Sequence, residues 1–266
     1  MKRDNLTVLS LFDGMSCARI TLDKMGIKPK AYYASELDKF AIKETEANWP
    51  DTVHLGDGGS PCQGFSFAGK QLAFDGPRSA LFFVYVDILN HVKSVNPSVK
   101  FMLENVRMKK EYLDVITEYL GVEPVFINSA LVSAQSRQRY YWANWGMTEP
   151  EDRGVLLSGI IESGAVDRDK SHCIDANYFK GGSLKNYLQK KRRQIALCQS
   201  ESRLCVFEQD DGRPIRKLTV VECCRLQGVP DNHFKVSSNT QAYKMLGNGW
   251  QCDTIEHIFN CLFESA

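Results

Sequence analysis

A cysteine in a loop rich in glycine, proline and serine is the residue of this chain best suited to covalent chemistry. The stretch reads Gly59-Ser60-Pro61-Cys62-Gln63-Gly64-Phe65-Ser66. Proline fixes the backbone just before Cys62, and the glycines allow tight geometry on both sides. Because such a loop seldom buries a thiol for packing, we interpret Cys62 as a reactive nucleophile. Most of the nine cysteines are expected to be ordinary buried residues.

The N-terminal residues have the pattern of a nucleotide cradle. Residues 7–12 are predicted to form a buried strand, Asp13-Gly14 a turn, and residues 16–25 a helix. In a doubly wound sheet the ligand lies beyond the carboxyl end of the first strand, against the N-terminus of the next helix. Glu36 follows the next predicted strand, about 20 residues after the turn, where a carboxylate suits a ribose hydroxyl pair. The turn lacks the later glycines of a dinucleotide site.

Strands and helices continue to alternate through the first part of the chain. Apolar spacing predicts strands at 53–55, 101–103, 124–131 and 140–145, and helices at 78–95 and 112–120. This alternation predicts an α/β protein. From about residue 150 the periodicity is lost, which predicts a small irregular lobe, and a closing helix is predicted over 241–263. We therefore divide the chain into residues 1–149, 150–214 and 215–266.

The interval between the third predicted strand and the cysteine loop is too short for the crossover that parallel strands need. The residues before Pro61 should form the next parallel strand, but a parallel crossover needs about a dozen residues or more. Only Gly56 to Ser60 are available. We expect that a segment is missing here, between Asp57 and Gly59.

Charge is distributed unevenly along a chain whose formal net charge is only +1. No aspartate or glutamate occurs between Asp175 and Glu201. A basic run of this kind fits either a solvated face or a phosphate-binding surface. The residues predicted to contact phosphates are Lys185, Lys190, Lys191, Arg192 and Arg193.

Composition argues against several other classes of protein. Apolar residues make up 43% and charged residues 24% of the 266 residues, as in an ordinary globular protein. The cysteines and histidines show no metal-ligand spacing and indicate no disulfide framework, so we expect no metal and a reducing compartment. We expect no signal peptide, and the longest apolar run, 80–86, is far too short to span a membrane.

Five short motifs, in order along nearly the whole chain, resemble those of the DNA (cytosine-5) methyltransferases. They are Leu11-Phe12-Asp13-Gly14, Pro61-Cys62-Gln63, Glu104-Asn105-Val106, Gln135-Ser136-Arg137-Gln138-Arg139 and Gly247-Asn248-Gly249. The middle of the chain resembles phage and bacterial enzymes, and the first motif and Gly249-Trp250 resemble the vertebrate de novo catalytic domain. The resemblance implies a Rossmann-like, S-adenosylmethionine-dependent methyltransferase fold with a mixed sheet. It also implies that residues 150–214 are a target-recognition lobe and that residues 215–266 return to the catalytic domain.

The resemblance implies S-adenosylmethionine as the cofactor, with S-adenosylhomocysteine as its product. Phe12 and Leu37 would flank the adenine, Glu36 would bind the ribose, and Asp57 would hold the adenine amino group. The complete implied set is Phe12, Asp13, Gly14, Met15, Glu36, Leu37, Asp57, Pro61, Leu81, Asn248 and Trp250.

The resemblance also implies how a poorly nucleophilic carbon is methylated. Carbon 5 of cytosine must first be activated, and in this family a thiolate, here Cys62, attacks carbon 6. Glu104 would contact ring nitrogen 3 and the exocyclic amine and supply a proton as charge accumulates. Arg139 would bind the carbonyl oxygen of the base, while Arg137 would orient the loop or the thiolate.

Double-stranded DNA is the implied partner, and the stacked target base must be flipped out before attack. Gln63 and Ser66 are candidates to fill the gap that it leaves. We expect a cytoplasmic enzyme acting on a bacterial or phage genome, without membrane contact, as a monomer. A dimer and a cognate restriction enzyme remain open. The alternatives are a transfer-RNA cytosine-5 methyltransferase, a catalytically silent DNA-binding homologue and an unrelated Rossmann dehydrogenase.

Overall fold

The computed structural model describes residues 3–55, 80–181, 185–198, 207–208 and 214–264. The cysteine loop lies outside the described residues, as does the expected missing segment. The predicted site residues outside them are Asp57, Pro61, Cys62, Gln63 and Ser66.

The N-terminal part contains a parallel three-stranded sheet in the order β1-β2-β3. These strands are β1 (Thr7–Leu11), β2 (Ala31–Ser35) and β3 (Val53–His54), and the helices between them are α1 (Cys17–Lys24) and α2 (Lys39–Asn48). In-register pairing of β1 with β2 aligns their carboxyl ends, so that the residues following them share one edge of the sheet. The predicted strands and the first helix are confirmed to within one or two residues.

A second three-stranded sheet is antiparallel, in the order β4-β7-β5. Its strands are β4 (Met102–Val106), β5 (Val125–Asn128) and β7 (Gln138–Ala143), and the two-residue strand β6 (Gln135–Ser136) precedes β7. The helices α3 (Ala80–Val95) and α4 (Lys110–Leu120) accompany it. The apolar side chains of α3 and α4 form one buried cluster with Phe101 and Trp142. Burial of this cluster fixes β4, whose central residue is Glu104.

The region after residue 150 is more regular than its sequence indicated. The strand β8 (Ser171–His172) pairs with β6, and β9 (Ile195–Leu197), β10 (Phe207–Glu208) and β11 (Pro214–Lys217) form an antiparallel sheet in the order β10-β11-β9. The side chains of Leu157, Ile174 and Tyr178 are buried in one cluster with Met15 and Leu246. The inner side of the lobe is therefore part of the central core.

Cys198 is disulfide-bonded, which the sequence analysis did not predict.

The predicted single closing helix over 241–263 is wrong. Two helices, α6 (Asn239–Asn248) and α7 (Cys252–Glu264), follow α5 (Val220–Gln227). Gly249 ends α6 because it is extended, with φ −67° and ψ 164°. The Gln251 side chain then accepts a 2.7 Å hydrogen bond from the Thr254 backbone N–H, which satisfies a donor at the start of α7. Across the described residues, no helix is both long and apolar enough to cross a bilayer.

A buried ion pair fixes the start of α5. Both Glu222 oxygens accept hydrogen bonds of 2.7 Å from the Arg216 guanidinium, and this carboxylate also accepts from the Thr219 and Glu162 backbone N–H groups at 2.7 Å. The side chains of Arg216 and Glu222 are 3% and 0% exposed. Hydrogen bonding to Glu222 raises the pKa of Arg216. Such a pair needs both of its members, because either charge alone would be buried without compensation.

We therefore expect Glu222→Ala to lower the free energy of unfolding by about 3–5 kcal/mol, since it leaves the Arg216 charge buried and unpaired. Glu256→Ala is the matched control. Its carboxylate lies 3.6 Å from Lys24 Nζ and is 26% exposed, so its loss should cost about 1 kcal/mol or less. Urea unfolding of the two variants measures the difference. Equal midpoints would show that the buried Arg216–Glu222 pair contributes no more to stability than the partly exposed Lys24–Glu256 pair.

Candidate active site

The turn after β1 is tied to the end of β2 by a glutamate. The Glu36 carboxylate accepts hydrogen bonds from the backbone N–H groups of Gly14 at 2.6 Å, Leu37 at 2.7 Å and Asp38 at 2.8 Å. Phe12, Gly14 and Ser16 have φ near +60°, so alternate residues of the turn are left-handed. The structure thus brings Gly14 and Glu36 together, as the cradle pattern predicted.

Asp13 supports this turn from inside the protein. Its buried carboxylate accepts a 2.6 Å hydrogen bond from the Tyr32 hydroxyl and another from the Ser16 hydroxyl. Burial raises the pKa of Asp13, although hydrogen bonds from Ser10, Ser16 and Tyr32 oppose the rise. The side chain is therefore occupied by neighbouring protein groups and holds the turn in shape.

The C-terminal region returns to the same turn. A Cβ on Gly249 would lie 2.8 Å from Met15 Cε and 3.0 Å from Cys17 Sγ. Trp250 packs against the cluster that contains Tyr32. Asn248 is exposed at the end of α6. Met15, Asn248 and Trp250 are thus near one another, although they are far apart in sequence.

The other predicted cofactor residues lie around this turn at different depths. Phe12 is half-buried against the cluster that includes Phe82. Leu81, the residue before Phe82, is half-buried in the first turn of α3. Leu37 is 52% exposed, which leaves its side chain accessible beside Glu36.

Glu104 and Arg139 form an ion pair across β4 and β7. Tyr141 lies opposite Glu104 in the register, and Arg139, two residues away, is on the same face of the sheet. Arg139 Nε is 2.7 Å from Glu104 Oε1, with the side chains 14% and 10% exposed. Burial alone would lower the pKa of Arg139, but the nearby Cys173 sulfur and Glu104 carboxylate raise it. The pair is thus held in a partly desolvated site.

Arg137 occupies the single residue between β6 and β7, and its side chain is 2% exposed. Its Nη2 donates to the Gly249 carbonyl at 2.7 Å. Its Nη1 is 3.4 Å from the Ile174 carbonyl and 3.3 Å from Cys173 Sγ. Both arginines of the predicted pair therefore reach the same region, but Arg137 points inward and contacts two other stretches of chain, at 173–174 and at Gly249.

Three buried glutamines connect these stretches, and the sequence analysis missed them. The Gln135 amide donates to Gln227 Oε1 at 3.1 Å and accepts from the Ile174 N–H at 2.8 Å. Gln227 in turn donates to the Gly249 carbonyl at 3.3 Å. Gln135, Gln227 and Gln251 are each 0% exposed. The signal for Gln227 was a glutamine directly before the glycine that ends α5, which the apolar pattern of that helix did not explain.

Four of the five predicted phosphate-binding residues, at 190–193, lie on one turn of the lobe that follows a single turn of π-helix at Lys185–Gln189. Lys190, Lys191 and Arg192 are exposed, and within the described part of the chain none of them forms an ion pair. Arg193 is half-buried and donates to the Gly181 carbonyl at 3.1 Å. The described side chains therefore offer three accessible cations. The side chain of Lys185 lies outside the description.

We expect Gly247→Ala to destabilise the protein. A Cβ at Gly247 would overlap the backbone of Asp175 and Ala176, and such overpacking typically costs about 1–3 kcal/mol. In an open helix position the same change would stabilise the protein by about 1 kcal/mol. The sign of the change in the free energy of unfolding therefore distinguishes the two situations. Gly159→Ala, with no atom within 4 Å of its Cβ, is the control. Thermal unfolding measures both, and a Gly247→Ala midpoint at or above that of the native chain would disprove the close approach.

A profile of the C-5 cytosine-specific DNA methylases matches residues 6–143 and 156–264. Type II methyltransferase M1.ScrFI of Lactococcus lactis subsp. cremoris is 30% identical over 312 aligned positions, which include 97% of this chain and 78% of that protein. M.HhaI of Haemophilus parahaemolyticus is 25% identical over 95% of this chain and 93% of its own length. Because 312 positions exceed the 266 residues of this chain, the alignment contains residues that this chain lacks.

Solved structures share the fold at low sequence identity. The Entamoeba histolytica methyltransferase EhMeth superposes with a TM-score of 0.75 at 16% identity over 98% of both chains. A DNMT2 variant of Spodoptera frugiperda gives a TM-score of 0.70 at 17% identity over 97% of this chain and all of that one. The predicted Rossmann-like methyltransferase fold is confirmed.

Proposed function

This chain belongs to the C-5 cytosine-specific DNA methylase family, and from that premise we propose how its residues methylate cytosine in DNA. It is a DNA (cytosine-5) methyltransferase. The observation that supports the residue assignments is the Glu104–Arg139 ion pair, which lies beside Arg137 and the returning Gly249. Arg137 would orient the loop or the thiolate of Cys62.

The residues around the first turn fit S-adenosylmethionine. Among the described residues, no atom lies within 4 Å of where a Cβ of Gly14 would stand, so they leave open space beside the backbone of the turn. Glu36 would bind the ribose, Phe12 and Leu37 the adenine, and Met15 and Trp250 the methionine portion. When bound, the cofactor supplies an electrophilic methyl group on its sulfonium. Asp13 acts indirectly here, by holding the turn.

Cys62 is the proposed nucleophile, assigned from its Pro-Cys-Gln motif. Its thiolate attacks carbon 6 of the cytosine, which makes carbon 5 nucleophilic toward the methyl group. Carbon 5 then loses its proton to solvent and the carbon–sulfur bond breaks, so that the thiolate leaves as the aromatic ring is restored. A thiolate suits both steps because it is strongly nucleophilic near neutral pH and is also a competent leaving group.

Glu104 and Arg139 act on the opposite edge of the base. Glu104 hydrogen-bonds ring nitrogen 3 and the exocyclic amine and supplies a proton as the ring accumulates charge. Arg139 donates to the carbonyl oxygen, whose negative charge grows during the addition. Their ion pair orients both groups before the base arrives, which lowers the cost of reorganisation during reaction.

Residues 150–214 are the proposed target-recognition lobe, between a catalytic domain at 1–149 and its C-terminal return at 215–266. The exposed cations Lys190, Lys191 and Arg192 would contact phosphates, which position a protein without reading sequence. The target base is flipped out of the duplex, with Gln63 and Ser66 closing the gap. Several relatives are named type II methyltransferases, which supports a cytoplasmic role in restriction and modification.

We expect base-resolution mapping of 5-methylcytosine, after incubation with S-adenosylmethionine and mixed duplex DNA, to show methylation in one short sequence context. Cys62→Ala should abolish the product, and Glu104→Gln should slow its formation by roughly a hundredfold or more, as loss of a proton-transfer group does. Cys261→Ala and the exposed Glu111→Gln are the matched controls. Near-native turnover by Cys62→Ala would remove this thiol from the mechanism, and product in transfer RNA alone would favour an RNA enzyme.

The turn at 190–193, which we call the basic turn, should contribute to the salt dependence of DNA binding. Each phosphate contact adds about 0.9 to the slope of log K against log salt concentration, so Lys190→Ala/Arg192→Ala should flatten that slope by about 2. Lys191 is left in place because its φ of 48° would strain most substitutions. Fluorescence anisotropy at several salt concentrations measures the slope.

Lys28→Ala/Lys30→Ala removes the same charge from exposed residues before β2, at the opposite edge of the sheet from Glu36. This control should leave the slope unchanged. If both double variants shift the slope equally, the phosphate contacts are not on the basic turn.

A further inference from the structure

Cys173 directly follows β8, the strand that pairs with β6 just before the two arginines. The preceding residues, Ser171 and His172, form β8 and pair in parallel with Gln135 and Ser136 of β6. The following Ile174 donates its backbone N–H to the buried Gln135 side chain at 2.8 Å. The backbone on both sides of Cys173 is therefore held, and the position of its sulfur is set by the lobe's first strand.

The sulfur contacts one arginine of the active site and influences the other. Cys173 Sγ is 3.3 Å from Arg137 Nη1, and the same side chain raises the pKa of Arg139. On its other side Arg139 is paired with Glu104 at 2.7 Å. Cys173 thus lies against Arg137 and close enough to Arg139 to affect its charge.

Two guanidinium groups that share one neighbour repel each other. The Glu104 carboxylate offsets the charge of Arg139, but the described contacts of Arg137 are two backbone carbonyls and this sulfur. In a partly desolvated site the repulsion is stronger than in water. A polarisable acceptor against Arg137 and near Arg139 therefore offsets part of this repulsion.

We propose that Cys173 is a positioning residue that holds Arg137 and Arg139 in the arrangement used for methyl transfer. The proposal rests on the proposed function, in which Arg139 binds the carbonyl oxygen of the flipped cytosine. Without the sulfur, Arg139 moves toward Glu104 and away from the base. The chemical step then slows, whereas DNA affinity, which depends mainly on phosphate contacts, stays the same.

The test compares the native protein with Cys173→Ala, Cys173→Ser and Cys261→Ala. Cys261 is also half-buried, but it lies on α7, where its sulfur is 3.8 Å from the Thr148 hydroxyl and 3.7 Å from the His257 ring. Single-turnover methylation of duplex DNA with excess enzyme reports the chemical step, and fluorescence anisotropy reports DNA affinity. Cys173→Ala should lower the rate roughly tenfold to a hundredfold, as small displacements of catalytic groups do, with DNA affinity changed less than twofold.

Cys173→Ser should recover most of the rate, because a hydroxyl oxygen can also accept from a guanidinium. A native rate for Cys173→Ala, or a serine variant as slow as the alanine variant, overturns the proposal. A parallel fall in DNA affinity and melting temperature does so too, because it would indicate a general structural role.

A second measurement does not depend on activity. In protein labelled with nitrogen-15 arginine, Cys173→Ala should shift the side-chain resonances of Arg137 and Arg139, and Cys261→Ala should leave them in place. Unmoved resonances overturn the positioning role. If the resonances move but the native chain forms no 5-methylcytosine, the proposed function fails while the contact between Cys173 and the arginines stands.

Discussion

A buried guanidinium must find hydrogen-bond partners, because a charge removed from water is costly unless it is compensated. In this chain the partners of the Arg137 Nη atoms are Gly249, Ile174 and Cys173, which come from the C-terminal return and the residues that follow β8. Providing these partners therefore requires three distant stretches, including that of Arg137 itself, to meet at one point. The geometry of the candidate active site follows from that requirement.

The buried glutamines make the same junction specific. Gln135 and Gln227 bond to each other and to backbone groups of Ile174 and Gly249. A buried amide tolerates few alternative arrangements, since each unsatisfied donor or acceptor would cost about 1–3 kcal/mol. These residues fix the position at which the C-terminal return meets β6. The apolar core around Leu246 supplies stability but little of this precision.

Much of the α/β framework could be predicted because its strands are short apolar runs and its first helix follows a glycine turn. Glu36 and Gly14 could be placed together because parallel strands end at a common edge. The split between α6 and α7 could not, since the apolar period continues across Gly249 and only the backbone shows the interruption. Arg139 and Glu104 were predicted as separate groups, and their pairing depended on a register that one strand alone does not reveal.

The inner side of the lobe after residue 150 is continuous with the central core, and this limits which of its positions can change without disturbing the fold. Leu157, Ile174 and Tyr178 belong to the same buried cluster as Met15 and Leu246, so their replacement would disturb the cofactor side of the molecule. The freedom to vary lies instead with outward-facing positions such as the turn at 188–193. A chimera that carries a different version of the proposed recognition lobe should therefore exchange only its outward-facing residues and keep the buried inner side chains.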